Sequence, residues 1–360
     1  MKQYPIPMVP GPVKVLPEVL EKYQMDYASG DLEHDYLELY NSTESNLKEI
    51  FSTSNKIVIQ TGEGMLALWG ALKSCLLPGD RVLSIATGVF GYGIADMAKS
   101  IGATVKTIGL SYSETIHNWA EIEEAIASFV PKMITVVHCE TPSGTLNPME
   151  ILGNLKRKYS IPLLYADVVA SLGGTPVLTD AWSIDLALGG TQKCLSAPPN
   201  MAFLAVSQQA WEIIHKVNYV GYDALRPFQD AQDNFYFPYT PYWHGMAVLH
   251  KATEVLLSEG LDSSYKRHEK VATYCRERLL HLGIDLFPSE NAIPSPTVTA
   301  ARVPDGIGWK ELDRRFRQHG LAVGGSYGPL ADKVFRLGHM GSQASMELVI
   351  QALDVIGKTI

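Results

Sequence analysis

Cysteine is scarce in this chain. Cys75, Cys139, Cys194 and Cys275 are scattered through 360 positions, with no Cys-x-x-Cys pair among them. That spacing excludes a disulfide framework and a structural zinc site, and it fits reduced thiols in a cytoplasmic protein. Positive charge is also in deficit: 30 Lys and Arg against 38 Asp and Glu give a net charge of −8. No basic run stands out, which argues against a nucleic-acid or anionic-membrane partner. Long apolar runs are missing as well. Nothing approaches the roughly 20 residues of a membrane span. The opening MKQYPIPMVPGPVKV lacks the continuous apolar stretch of a secretion signal.

What is present describes a globular protein, with 46% hydrophobic and 19% charged residues. The length predicts a large domain with a smaller companion. From about residue 56 to 206, short apolar runs alternate with helical patterns. The runs at 56–60, 81–86, 104–109, 133–138, 161–167 and 201–206 predict strands. Helical patterns lie near 63–75, 91–101, 118–129 and 148–159. This alternation predicts an α/β fold with a mainly parallel sheet between helices, binding ligands at the strands' carboxyl ends. The pattern turns helical from 241 to 281 and ends as a small α+β unit, with strands at 296–303 and 333–339. Residues 219–242, rich in aromatics, Asp and Pro, read as a long excursion of functional or interfacial type.

Lys193 stands in GGTQKCLSAPPN, 189–200, hemmed in by glycine and proline. Such a loop suits rigid presentation at a ligand, and a lysine amine becomes a nucleophile when its site lowers its pKa. Asp167 ends the apolar run IPLLYAD, which delivers it to the sheet edge. A carboxylate there needs a cation, such as the protonated pyridine nitrogen of pyridoxal phosphate, or it serves as a helix N-cap. QTGEGMLALWGAL, 60–72, follows a strand and opens a helix. Its Gly62, Gly64 and Ala67 match a dinucleotide fingerprint, although no ribose-binding acid follows the next strand. More generally, a helix N-terminus binds anions, a role in which Glu63 would repel a phosphate. Phe90, between glycines in ATGVFGYG, suits stacking on a planar ring or packing in the core. Thr141 and Ser143 lie in a turn after a strand, where hydroxyls meet a ligand or satisfy turn amides. Arg336, in FRLGHMG, suits bidentate binding of a carboxylate or an internal salt bridge.

The order and spacing of these stretches, above all YADVVASLGGTP followed by GGTQKCLSAPP, resemble the class V aminotransferases. These are pyridoxal-phosphate enzymes of fold type I, and the similarity is greatest to the alanine–glyoxylate and pyridoxamine–pyruvate aminotransferase branch. It runs from PGPV at 10–13 to RLGHMG at 336–341. The resemblance implies a large domain with a mainly parallel seven-stranded sheet and a smaller α+β C-terminal domain. It implies an arm at 1–15, a large domain at 16–245, and a linking helix with the small domain at 246–360.

By the same resemblance Lys193 holds the cofactor covalently and shuttles the proton of the substrate's α-carbon. Asp167 pairs with the pyridine nitrogen, Phe90 and Val169 cover the ring faces, and Thr141 bonds near the ring edge. Gly64, Met65 and Gln192 occupy phosphate-contacting positions. Thr240 reaches the phosphate of a partner subunit, which implies a homodimer with shared sites, or a higher oligomer. Arg336 holds the substrate carboxylate, with Gly11 beside it. Two positions depart from the pattern. Glu63 stands where phosphate-binding relatives place a small hydroxyl residue, and suits free pyridoxal or pyridoxamine as a substrate; a glutamate there can also turn away, be protonated or pair with a cation. Tyr327 stands where the pyridoxamine enzyme would place a second arginine.

The expected activity is transfer of an amino group between a small amino donor and pyruvate or glyoxylate, of the alanine–glyoxylate or serine–pyruvate type. The alternative uses free pyridoxamine as donor and pyruvate as acceptor. Cysteine desulfuration is disfavoured, because no cysteine follows Cys275. A DNA-binding regulator would need an added module, and a nicotinamide enzyme leaves Lys193 and Asp167 unexplained.

Overall fold

The computed structural model describes residues 4–360, so residues 1–3 of the expected arm lie outside the described residues. Ile6–Met8 (β1) is extended. His34–Phe51 (α1) buries Tyr36, Tyr40, Thr43, Leu47 and Ile50, a stripe at three- and four-residue spacing. Strands and helices then alternate: Lys56–Thr61 (β2), Gly64–Cys75 (α2), Arg81–Ala86 (β3), Val89–Ser100 (α3), Thr104–Gly109 (β4) and Trp119–Phe129 (α4). Next come Met133–Val137 (β5), Glu150–Lys158 (α5), Leu163–Asp167 (β6), Leu186–Gly190 (β7), Met201–Val206 (β8) and Gln208–Val217 (α6).

Seven of these strands form one sheet in the order β2-β8-β7-β6-β5-β3-β4. Within it only β8 runs against its neighbours. Alternate residues serve opposite faces: Val82, Met133, Leu163 and Leu186 enter one apolar core, and Leu83, Ile134, Leu164 and Ala187 the other. Both faces are therefore covered, which is why these strands read as continuous apolar runs. The antiparallel turn from β7 into β8 needs no helical crossover. Lys193 sits in that short return loop, at the sheet's carboxyl edge.

Trp243–Glu259 (α7) and Leu261–His281 (α8) are parted by Gly260, whose φ of +84° ends the first helix. Then follow Val298–Arg302 (β9), Trp309–Gln318 (α9), Leu321–Gly325 (β10), Val334–Gly338 (β11) and Met346–Thr359 (α10). A second sheet has the order β1-β10-β11-β9, with Ile6 and Met8 beside Leu321 and Val323. No helix among the described residues is long and apolar enough to cross a membrane.

Strands β1, β7 and β10 and helices α1 and α6 are absent from the sequence reading. Strand β7 is LALGG, and paired glycines argue locally against a strand. The neighbouring strand explains them, because a Cβ on Gly189 would lie 2.2 Å from the Phe203 ring. This glycine makes room for β8 and not for a ligand. Strand β10 repeats the device as LAVGG, where a Cβ on Gly325 would meet the Trp309 indole at 2.6 Å.

Candidate active site

The carboxyl ends of the strands carry the candidate residues to one place. Glu63, Gly64 and Met65 follow β2, Phe90 lies in the first turn of α3 after β3, and Thr141 follows β5. Asp167 ends β6 with Val169 just beyond, and Gln192 and Lys193 follow β7. All nine line a single cavity of about 180 Å³. Leu68, Ile94, Met97 and Leu188 give it an apolar floor.

Lys193 donates from Nζ to the carbonyl of Pro10. Gly11 packs against the same amine: its φ is +97°, and a Cβ there would lie 2.6 Å from Nζ. Only glycine passes this point without strain or collision. Burial pushes the amine down to about 8, helped by the positive charge of Arg336. At pH 7 that leaves roughly 300-fold more neutral amine than an ordinary lysine holds. The site thereby makes a nucleophile of Lys193.

Burial acts on Asp167 in the opposite sense, raising it to about 6 against the pull of the Val169 amide and of Lys193. The Val169 N–H bonds its Oδ1 at 2.9 Å. Beneath it, the His138 amide donates to the Asp167 carbonyl at 2.8 Å. The His138 ring bonds Ser171 through Nδ1 at 2.9 Å, and burial pushes it down to about 4, so it is a neutral brace.

The cavity suits the ring of a pyridoxal cofactor. Asp167 is a desolvated carboxylate in need of a cation, Lys193 is a free amine, and Phe90, at 36% exposure, offers an aromatic surface. Gln192 Oε1 is buried without a partner, so the wall holds unused hydrogen-bonding capacity. The phosphate end is different. Glu63 is the N-cap of α2, and its Oε1 accepts from the Met65 amide at 3.0 Å. A carboxylate therefore already engages one of the helix-terminal amides that an anion would use.

Arg336 lies outside this cavity, in a neighbouring pocket of about 350 Å³ with Gly11, Trp309, Ser326 and Tyr327. Its Nε and Nη2 donate to the Gly325 carbonyl, with Nε at 2.8 Å. The Tyr327 ring lies 4.7 Å from its Cζ. Tyr327, at the position where a second arginine was a candidate, thus braces the first. The Pro10–Gly11 stretch lies between Lys193 and the Arg336 pocket, and Gly11 borders both. Thr240 is exposed and lines neither space in its own chain.

Two participants escape the sequence reading. Pro10 holds the Lys193 amine through a backbone carbonyl, for which no residue code exists. Glu140 is a fully buried carboxylate between the cavity residues Cys139 and Thr141. Burial raises it to about 7 against the pull of the Gly91 and Phe90 amides. Those partners lie far away along the chain, so no local pattern marks it.

The family model for "Aminotransferase class-V" matches residues 10–329. An uncharacterized aminotransferase of Methanocaldococcus jannaschii is 36% identical over 351 residues, covering 95% of this chain and 89% of that protein. Among solved structures, alanine–glyoxylate aminotransferase from Nostoc sp. superposes with a TM-score of 0.94 at 30% identity, covering 100% of this chain and 96% of that one. Pyridoxamine–pyruvate aminotransferase from Mesorhizobium loti gives 0.95 at 29% identity, covering 99% and 92%.

Proposed function

This chain belongs to the class V aminotransferases, and on that premise we propose that Lys193 and Arg336 carry its transamination of pyruvate or glyoxylate with a small amino donor. It is a pyridoxal-phosphate enzyme of fold type I. The observation that carries the assignment of roles is the placement of a nucleophilic amine and a carboxylate-binding guanidinium on either side of Gly11.

When bound, the cofactor supplies an electron sink for the bonds at the substrate's α-carbon. The protein does the rest. Lys193 Nζ, kept partly neutral by burial, takes and returns the α-proton. Asp167 keeps a proton on the pyridine nitrogen, and Phe90 and Val169 confine the ring. Thr141 orients the ring edge, and Gly64, Met65 and Gln192 lie toward the phosphate end with Glu63. Arg336, braced by Tyr327, fixes the substrate carboxylate so that its α-carbon faces Lys193.

The site is shared in a homodimer on this reading, with Thr240 entering the partner's cavity; its exposure, and that of Tyr222 and Tyr236 on the same excursion, supports this. The enzyme works in the cytoplasm, consistent with four free buried thiols. Its parts on this reading are an arm at 1–15, a cofactor domain at 16–245, and a linking helix with the small domain at 246–360.

Purified protein mixed with pyridoxal phosphate is expected to show a Lys193-bound chromophore. It should also form pyruvate from alanine and glyoxylate, and Lys193→Ala should abolish both. Full turnover in that variant ends this reading. A second reading is favoured by the Glu63–Met65 bond, which puts a carboxylate in the phosphate's place: free pyridoxamine is the amino donor to pyruvate. Alanine formation is measured with pyridoxamine, with and without pyridoxal phosphate, and no pyridoxamine-dependent alanine disposes of it.

A further inference from the structure

Helix α3 has no cap of its own. Its N-cap is Gly88, which has no side chain to accept the free amides of the first turn. Three other helices are capped locally by a side chain: Glu63 serves α2, Ser207 serves α6 and Ser345 serves α10. At α3 the acceptor comes from a different strand end. Glu140 takes the Gly91 N–H on Oε1 at 2.7 Å and the Phe90 N–H on Oε2 at 3.2 Å. The carboxylate is fully buried, at 0% exposure.

The glycines around it are fitted to this contact. A Cβ on Gly88 would lie 2.6 Å from the Glu140 carboxyl carbon, and one on Gly91 would lie 2.9 Å from Ala86 Cα. A serine or aspartate cap at 88 would therefore collide with Glu140. A local cap ties a helix only to itself. This remote cap ties the turn that bears Phe90 to the stretch bearing Cys139 and Thr141, which lines the same cavity. Hydrogen bonds of this kind are directional, and out of water they are stronger than the same bonds in solvent.

We propose that Glu140 is a positioning residue, whose buried carboxylate sets the place of the Phe90 ring against the bound cofactor. It acts through the backbone of α3 and touches neither substrate nor cofactor. The proposal rests on the reading that this cavity holds the cofactor, and its test separates the two.

The apo protein is titrated with pyridoxal phosphate by absorbance, and exchange of the Phe90 and Gly91 amides is followed without cofactor. Glu140→Gln keeps the size but replaces one acceptor oxygen with an amide donor. It should speed exchange at both amides and weaken cofactor binding roughly tenfold. Gly88→Ala leaves the carboxylate in the chain but pushes it off the two amides, and should do the same. It carries the test should Glu140→Gln fail to fold. In a Phe90→Ala background Glu140→Gln should change cofactor affinity less than about twofold, because the group it positions is gone. An unchanged affinity in both single variants overturns the proposal. So does an equal tenfold loss with and without Phe90. Wild-type protein that binds no cofactor overturns the underlying reading instead, while the exchange data still report whether Glu140 holds the turn.

Discussion

The two spaces on either side of Pro10–Gly11 are built on opposite terms. The Lys193 cavity is small, has an apolar floor and is lined by the ends of a sheet buried on both faces. The Arg336 pocket belongs to the four-stranded sheet and is lined by aromatic and charged side chains including Asp313 and Arg317. Desolvation in the first moves an amine and a carboxylate toward neutrality, as proton transfer requires. Burial lowers the Arg336 guanidinium as well, but from so high a starting value that it stays charged, held on the Gly325 carbonyl as recognition requires. The lesson is a division of labour by the intrinsic basicity of two buried cations, with one glycine at the border.

Five substitutions or conditions test that division. The largest effect belongs to Lys193→Ala, which should lower kcat by at least about 10³-fold while the affinity for a 2-oxo acid changes little. Gly11→Ala strikes the border itself, combining left-handed backbone strain with a collision at Nζ. We expect about 10²-fold loss in kcat/KM, shared between kcat and KM, and a lower Tm. Arg336→Gln should raise KM for the oxo acid about 10- to 100-fold with a smaller change in kcat. Removing its charge should also raise the pH at which Lys193 captures the cofactor, because Arg336 helps lower that amine.

A pH titration of the apo protein comes next. Lys193 ionises near 8 when folded but ordinarily at 10.5. Between those values the unfolded chain binds the extra proton, so stability rises with pH across that window. Lys193→Met should remove a rise of about 3 kcal/mol from the denaturation profile, and an unchanged slope contradicts the desolvated amine. Smallest is Tyr327→Leu, where loss of the ring over Arg336 should raise KM about two- to fivefold. A tenfold change in kcat there would break the proposed separation.

Much of the large sheet was legible because strands covered on both faces write themselves as apolar runs. The runs at 81–86, 104–109 and 201–206 match β3, β4 and β8 residue for residue. Strand β7 was not legible, since Gly189 answers to the Phe203 ring on another strand. Helix α1 and strand β1 precede the alternation and lie outside the runs that mark the sheet. Nine candidate site residues converge on one cavity: strand ends announce where Glu63, Gly64, Phe90, Thr141, Asp167 and Lys193 are delivered, whereas Met65, Val169 and Gln192 follow from the family resemblance. Arg336 in a separate pocket, the Pro10 carbonyl and Glu140 depend on tertiary approach, and no local spacing encodes them.

Strand β1 lies parallel to β10, so Ile6–Met8 finds its place only beside Leu321–Val323. During synthesis the ribosome releases Lys193, Asp167 and Phe90 long before those partners emerge. The Pro10–Gly11 stretch follows directly on β1, and without the second sheet it is held from one side alone, where the Val13 and Leu16 amides bond the Gln192 and Ser196 carbonyls. The cover over the reactive amine thus has two ends, one fixed by the Lys193 loop and one by the last strands of the chain to be made.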